Sequence, residues 1–194
     1  YDYVVAVPTN ITKVEKWSFY DVIADVTKRG KHTYIVDKPV AAAMGMNLDI
    51  TSLRGVMLVD IGADTTEVSI MSLGGIVISK LLPFGGTSFD EAIKQNVKRH
   101  YNLYIGDKTA EHLKLCLADA FGATEETLDI YGRDVVTGLP VKATVESEVI
   151  YQSICTQLAQ IAEAVKGIIE RTPPEISSEI IQKGIYLTGG SARI

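Results

Sequence analysis

The stretch Val59-Asp60-Ile61-Gly62-Ala63-Asp64-Thr65-Thr66-Glu67 reads as an apolar strand ending in an acid, a glycine turn with paired hydroxyls, and the start of a second strand. Such a hairpin suits a phosphate. Asp60 can hold a metal ion through water, Gly62 lets the backbone approach closely, and the turn amides with the hydroxyls of Thr65 and Thr66 face phosphate oxygens. Asp64 sits awkwardly in the same turn, because a bound phosphate would repel its carboxylate unless a cation lay between them. Taken alone, the pattern equally describes an ordinary tight hairpin, so the rest of the chain has to decide.

Upstream, strand and helix alternate. A buried strand is expected at 3–7, followed by a capping-box pair, Thr12 and Glu15, and a helix carrying Val14, Phe19, Val22, Ile23 and Val26, which Gly30 stops. Thr33 to Val36 reads as a strand that leads through Asp37-Lys38-Pro39 into a short buried helix, Val40 to Gly45. Downstream, Val56 to Asp60, Thr65 to Ser72 and Ile76 to Pro83 give three strands in succession, with Gly74-Gly75 as a hairpin turn. Gly85-Gly86-Thr87 opens a helix whose Phe89, Ile93 and Val97 face inward. A further helix is expected near Thr109 to Ala120, then an acidic loop at Thr124 to Thr127 and short strands near Leu128 to Tyr131 and Val141 to Val145. Ile150, Ile154, Leu158, Ile161, Val165 and Ile168 then recur at helical spacing over about 147–171. Thr172-Pro173-Pro174 ends that helix, and a short helix leads to the strand Ile185 to Leu187 and the turn Thr188-Gly189-Gly190-Ser191. Three consecutive strands inside an alternating pattern imply an α/β fold with a mixed sheet flanked by helices.

Composition narrows the function classes. The 194 residues are 46% hydrophobic and 22% charged, as in a globular protein with a sizeable core. Nineteen basic residues against 24 acidic leave a net charge of −5, with no basic run, which argues against a nucleic-acid partner. Cys116 and Cys155, far apart and in helical patterns, read as buried free thiols of a reducing, cytoplasmic compartment. No apolar run reaches the roughly 18–20 residues that span a bilayer. Core strands near both ends lead us to expect a piece of a longer chain.

Glycine turns stand at the ends of three probable core strands: Gly62, Gly85-Gly86 and Gly189-Gly190. Together with Ser72-Leu73-Gly74-Gly75-Ile76-Val77, Tyr101-Asn102-Leu103, Ile105-Gly106, Thr109-Ala110-Glu111, Gly132 to Pro140 and Thr172-Pro173-Pro174-Glu175, they resemble the MreB family of bacterial actins, the rod-shape-determining proteins. That family lies within the superfamily of actins, sugar kinases and seventy-kilodalton heat-shock chaperones. The resemblance implies an actin-like, ribonuclease H-like ATPase fold with a small inserted α+β subdomain. The implied division is the end of a first actin-type domain at 1–50, a second core domain at 51–106 and 147–194, and the insertion at 107–146.

It also implies ATP or ADP with Mg2+ as cofactors, assembly into filaments, and work with membrane proteins and the cell-wall synthesis machinery, in the cytoplasm with membrane association through parts outside this chain. By the same resemblance Asp60 orders magnesium through water, Thr65 places the attacking water, and Gly62 and Thr66 belong to the phosphate turn. Gly85 and Gly86 would flank the nucleotide with Asp90 one turn on, although they equally describe a helix entry. Glu111 and Lys114 would contact the ribose, or else form a solvated ion pair three residues apart. Gly189, Gly190 and Ser191 match the adenosine loop, and Arg193 matches a chaperone arginine that stacks on adenine, although an arginine there is equally expected to be solvated. Two departures stand out. Lys38 replaces the glutamate that polarises the hydrolytic water, and a charged lysine cannot accept that water's proton. Ala63-Asp64 replaces two glycines. The expectation is a weak ATPase at most in the whole protein and none in this chain alone, with a non-hydrolysing scaffold as the alternative and a chaperone-type nucleotide domain as a third reading.

Overall fold

The computed structural model describes residues 2–27 and 32–194; the expected helix stop at Gly30 lies outside the described residues. The chain divides into two compact units, one made of 1–60, 66–82 and 164–188 and the other of 61–65, 83–163 and 189–194.

The first unit begins with β1 (Asp2–Val7), α1 (Lys13–Thr27), β2 (His32–Asp37) and α2 (Lys38–Gly45), and β1 pairs with β2 in parallel. The capping box at α1 forms as expected: the Thr12 amide donates to Glu15 Oε2 at 2.6 Å, and the Glu15 amide donates back to Thr12 Oγ1 at 3.2 Å. The burial expected of β1 does not follow. In β1 only Val7 is buried, and in α1 Val14, Phe19, Val22 and Val26 are all exposed. A two-stranded sheet is too narrow to cover a 15-residue helix whose apolar positions are scattered around its circumference. Likewise α2 buries only Pro39 and Ala43.

The main sheet of this unit has the order β5-β4-β3-β9, with β3 at Val56–Ile61, β4 at Thr66–Ser72, β5 at Gly75–Leu82 and β9 at Ile185–Thr188. Strands β4 and β5 pair antiparallel while β3 and β9 pair in parallel, so the sheet is mixed. Every residue of β3 and β4 is buried, as central strands with both faces covered require. Ala43, Ile50, Val56, Leu58 and Met71 form a core cluster. This core holds the strand end that carries Asp60, which pairs with Thr188 in the parallel ladder.

The second unit holds α3 (Gly86–Tyr101), β6 (Leu103–Tyr104), α4 (Asp107–Leu117), β7 (Thr127–Asp134) and β8 (Pro140–Glu146), followed by most of α5 (Ser147–Arg171). Helix α6 (Pro174–Lys183) leads back to β9. Phe89, Ile93 and Val97 are fully buried on α3, which packs against α4, and α4 packs against β7. On α5, Ile150, Ile154, Ile161 and Ile168 are buried and Leu158 and Val165 half-buried, so the expected stripe holds. Two expectations need correction. Helix α4 stops at Leu117 because Ala118 turns extended, and the strands that follow run longer than their apolar cores. Neither cysteine is buried: Cys116 is exposed beside His112 on the outer face of α4, opposite Ala110, Leu113 and Leu117, and Cys155 is half-buried. No helix among the described residues is long and apolar enough to cross a membrane.

Candidate functional site

In the second unit two glycine turns close on each other. The Gly62 amide donates to Thr65 O at 2.9 Å, closing the first turn. The Gly86 amide then donates to Gly62 O at 2.9 Å and the Thr87 amide to Ala63 O at 2.7 Å. Gly85 is required by this approach rather than by its backbone angles, which are extended. A Cβ there would lie 2.5 Å from Gly62 O and 2.8 Å from Ala63 O. The amides of Gly62, Gly86 and Thr87 are therefore committed to the paired turns. Thr66 is fully buried with a partner inside the protein, while Thr65 remains half-buried. Asp64, the awkward carboxylate, accepts a hydrogen bond from Thr87 Oγ1 at 2.9 Å. That places its charge beside the first turn of α3, where the helix dipole favours an anion.

Next to these turns a cleft of about 430 Å³ is lined by Gly86, Thr87, Asp90, Lys108, Glu111, Lys114, Gly190 and Ser191, among others. Lys114 is not the solvated partner of Glu111. It is buried, with Nζ at 2.8 Å from Asp90 Oδ1 and 2.9 Å from Oδ2, and it donates to Gly86 O at 3.2 Å. The ammonium thus ties α4 to the entry of α3. A Cβ on Gly86 would meet Ser191 Oγ at 2.5 Å and Lys114 Nζ at 3.3 Å, so this glycine too is set by packing. At the mouth of the cleft Lys94 bridges Glu91 and Asp107, and those carboxylates hold its ammonium pKa above the ordinary lysine value. Gly189 turns with φ 95°, and Gly190–Arg193 forms a single 3-10 turn that buries Ser191 and leaves Arg193 exposed outside the cleft lining.

In the first unit Asp60 is buried at the end of β3, and Lys38 Nζ lies 2.7 Å from its Oδ2. Lys38 is the first residue of α2, an unfavourable place for a cation, and the buried carboxylate compensates for it. The neighbouring Asp37 points elsewhere, to Lys16 at 3.5 Å. Glu67, which sequence reading passed over, is buried and accepts hydrogen bonds from the amide and the hydroxyl of Thr9. No group of three or more His, Cys, Asp or Glu among the described residues is placed to hold a metal ion.

A family model described as MreB/Mbl protein matches residues 2–194. The chain belongs to the MreB/Mbl family. It is 42% identical over 191 residues to the cell shape-determining protein Mbl of Bacillus cereus, an alignment covering 97% of this chain and 56% of that protein. The cell shape-determining protein MreB of Escherichia coli K12 is 36% identical over 189 residues, covering 97% and 54%. Among solved structures, MreB5 of Spiroplasma citri bound to ADP superposes with a TM-score of 0.92 at 33% identity, over 98% of this chain and 58% of that one. The MamK double helical filament matches at 0.79 and 24% identity, a likeness of fold alone. The actin-like α/β fold expected from the sequence is thereby shown, and the chain spans about half the length of the curated relatives it matches.

Within this MreB/Mbl chain the structure gathers Gly86, Glu111, Lys114, Gly190 and Ser191 around one cleft, with Gly62 and Gly85 in the adjoining turns. Thr87 and Lys108 line the same cleft; Lys108 carries no sequence signal beyond its place on the face of α4 shared with Glu111 and Lys114.

Proposed function

We propose that the full-length protein is a cytoskeletal filament protein that binds adenine nucleotide and directs cell shape and wall synthesis. The observation that carries the reading is the cleft itself. Three separated segments, at Gly86, at Glu111 with Lys114, and at Gly190 with Ser191, converge on a space of nucleotide size. The family match supports the reading, as do the ADP and AMPPNP named for the MreB5 structures. Glu111 would accept from ribose hydroxyls, and Lys108 would offer an ammonium to oxygen acceptors on the ligand. Self-assembly, wall-synthesis and membrane partners, a cytoplasmic location, and the division into an incomplete first domain, a core domain and an insertion at 107–146 belong to the same proposal and rest on the family resemblance.

Magnesium would supply charge neutralisation at the phosphates, with Asp60 as its outer-sphere acceptor. The residues present do not fit it, because that carboxylate already holds the Lys38 ammonium. The same pair favours a second reading, a filament scaffold that binds nucleotide with little or no hydrolysis.

The test is equilibrium binding of a fluorescent adenine nucleotide to the full-length protein, with Glu111→Ala/Lys108→Ala as the variant. Binding in the wild type that weakens at least about tenfold in the variant supports the site; a tenfold change corresponds to ~1.4 kcal/mol, the order of one charge-assisted hydrogen bond. Absence of binding, or equal binding by both proteins, overturns it. Phosphate release with Asp60→Ala as the blank separates the readings: turnover above the blank selects a working ATPase, and none selects the scaffold.

A further inference from the structure

We infer that the Lys38 ammonium is a tethered substitute for a divalent cation at Asp60, so that this MreB/Mbl chain recruits no metal ion there. The inference deepens the proposed nucleotide site and leans on that reading only for the second arm of its test. The argument starts from the carboxylate. Asp60 is a side chain only 7% exposed at the end of a central strand, and a buried carboxylate needs a cation or hydrogen-bond donors. A hydrated magnesium ion would meet that need by turning a bound water toward the carboxylate, as magnesium retains most of its waters. The hydrogen bond from such a water would be about 2.7–2.8 Å long. Lys38 Nζ lies 2.7 Å from Oδ2, within the reach that such a water would have, so the ion pair occupies the carboxylate at the same distance.

Three features make the substitution persistent rather than incidental. Lys38 is the first residue of α2 and Pro39 is buried behind it, so the stem of the lysine starts from a fixed backbone. The neighbouring acid, Asp37, does not compete for the ammonium, because it is paired with Lys16. The ammonium is itself a positive charge next to the carboxylate, so an arriving divalent ion meets repulsion as well as an occupied acceptor. Mg2+ also binds with an enforced octahedral shell and does not fit around a lysine.

The test is a Mn2+ titration of the full-length protein followed by electron paramagnetic resonance, in which the free hexaaqua ion gives the signal and bound ion removes it. Without nucleotide, the wild type and Asp60→Asn should bind the same amount of Mn2+. Lys38→Glu, which sets two carboxylates against each other, should gain a Mn2+ per chain, and Lys38→Glu/Asp60→Asn should lose it again. A wild-type Mn2+ that disappears in Asp60→Asn overturns the inference, because the metal then displaces the ammonium. So does a folded Lys38→Glu protein that gains no metal. If Lys38→Glu does not fold, Lys38→Gln takes its place with the same expectation of Asp60-dependent Mn2+, and the comparison of wild type with Asp60→Asn decides independently of either. In the second arm, ADP affinity should change less than about twofold between Mg2+ and EDTA in the wild type and more than about tenfold in Lys38→Glu, by linkage between metal and nucleotide. A Mg2+ requirement for ADP binding in the wild type that is lost in Asp60→Asn overturns the inference. A protein that binds no nucleotide at all overturns the proposed function and leaves the Mn2+ arm to decide this one.

Discussion

Gly85→Ala should open the paired turns without touching any charged side chain. The new Cβ would stand 2.5 Å from Gly62 O and 2.8 Å from Ala63 O, both backbone atoms that cannot rotate away. Those two carbonyls are the acceptors for Gly86 and Thr87, so relieving the clash lengthens or breaks hydrogen bonds now at 2.9 and 2.7 Å. Losing two such bonds costs ~1–3 kcal/mol, and overpacking a rigid contact costs ~1–3 kcal/mol. The two costs overlap, since the same shift relieves the clash and breaks the bonds, which leaves ~2–4 kcal/mol of local stability. The assay is amide hydrogen exchange of the peptide containing Thr87 in the full-length protein, because exchange reads local opening directly. At ~1.36 kcal/mol per tenfold, protection should fall about 30- to 1,000-fold. The control is Gly167→Ala on α5, where a Cβ meets nothing within 4 Å. Protection at Thr87 that is unchanged in Gly85→Ala would refute the steric account of this glycine and return it to the role of an ordinary helix entry.

The control carries its own prediction. Gly167→Ala replaces a helix-interior glycine in open space and should raise the urea midpoint, by ~0.5–1 kcal/mol; a loss of stability would show a contact at that face. Lys114→Met should cost ~2–4 kcal/mol, below the full cost of breaking a buried pair because Asp90 keeps 19% exposure, and Asp90→Leu added to it should recover at least half by urea denaturation. Single-variant losses under ~1 kcal/mol would mean that the pair is screened like a surface one. Asp134 accepts from the Thr137 amide, then from the Thr137 hydroxyl and the Val136 amide, which hold its pKa below the usual carboxylate range. Its contribution to the hairpin tip is therefore present above the ordinary value near ~3.9 and is lost as pH falls through the lower folded value. An NMR titration should show that low midpoint and its rise in Thr137→Val; an ordinary midpoint in the wild type would remove the turn from the account.

What the sequence revealed was local and periodic. The Thr12 and Glu15 pair, the Phe89, Ile93 and Val97 face and the α5 stripe are each legible within a few turns of chain, and each is found. The apolar run of β1 predicts a burial that only Val7 shows, because apolar atoms also make up much of any protein surface. The strand β6 was missed since two residues carry no period, although Asn102 with φ 51° supplies the helix stop before it. The sequence flagged Lys38 and Asp64 as odd but could not name their partners. Asp64 finds Thr87 23 residues away and Lys114 finds Asp90 24 away, separations that no helical or strand period encodes.

Those partners change what the odd residues mean. A carboxylate in a phosphate turn and a lysine in place of a glutamate look, in sequence, like two separate injuries to one chemistry. In the structure each charge is satisfied within its own unit: Asp64 by the Thr87 hydroxyl and the start of α3, Lys38 by Asp60, and the buried Lys114 by Asp90. Asp107 at the mouth is likewise held by Lys94. Among the described residues this leaves Lys108 and Glu111 as the charged side chains lining the cleft that form no ion pair. They are exposed, one cation and one anion on the same face of α4, and their hydrogen-bonding capacity is uncommitted. A ligand entering the cleft would therefore meet unpaired charge at Lys108 and Glu111, and not at the buried lysine. Removing Lys114 should weaken the fold more than the affinity, and removing Glu111 with Lys108 should do the reverse.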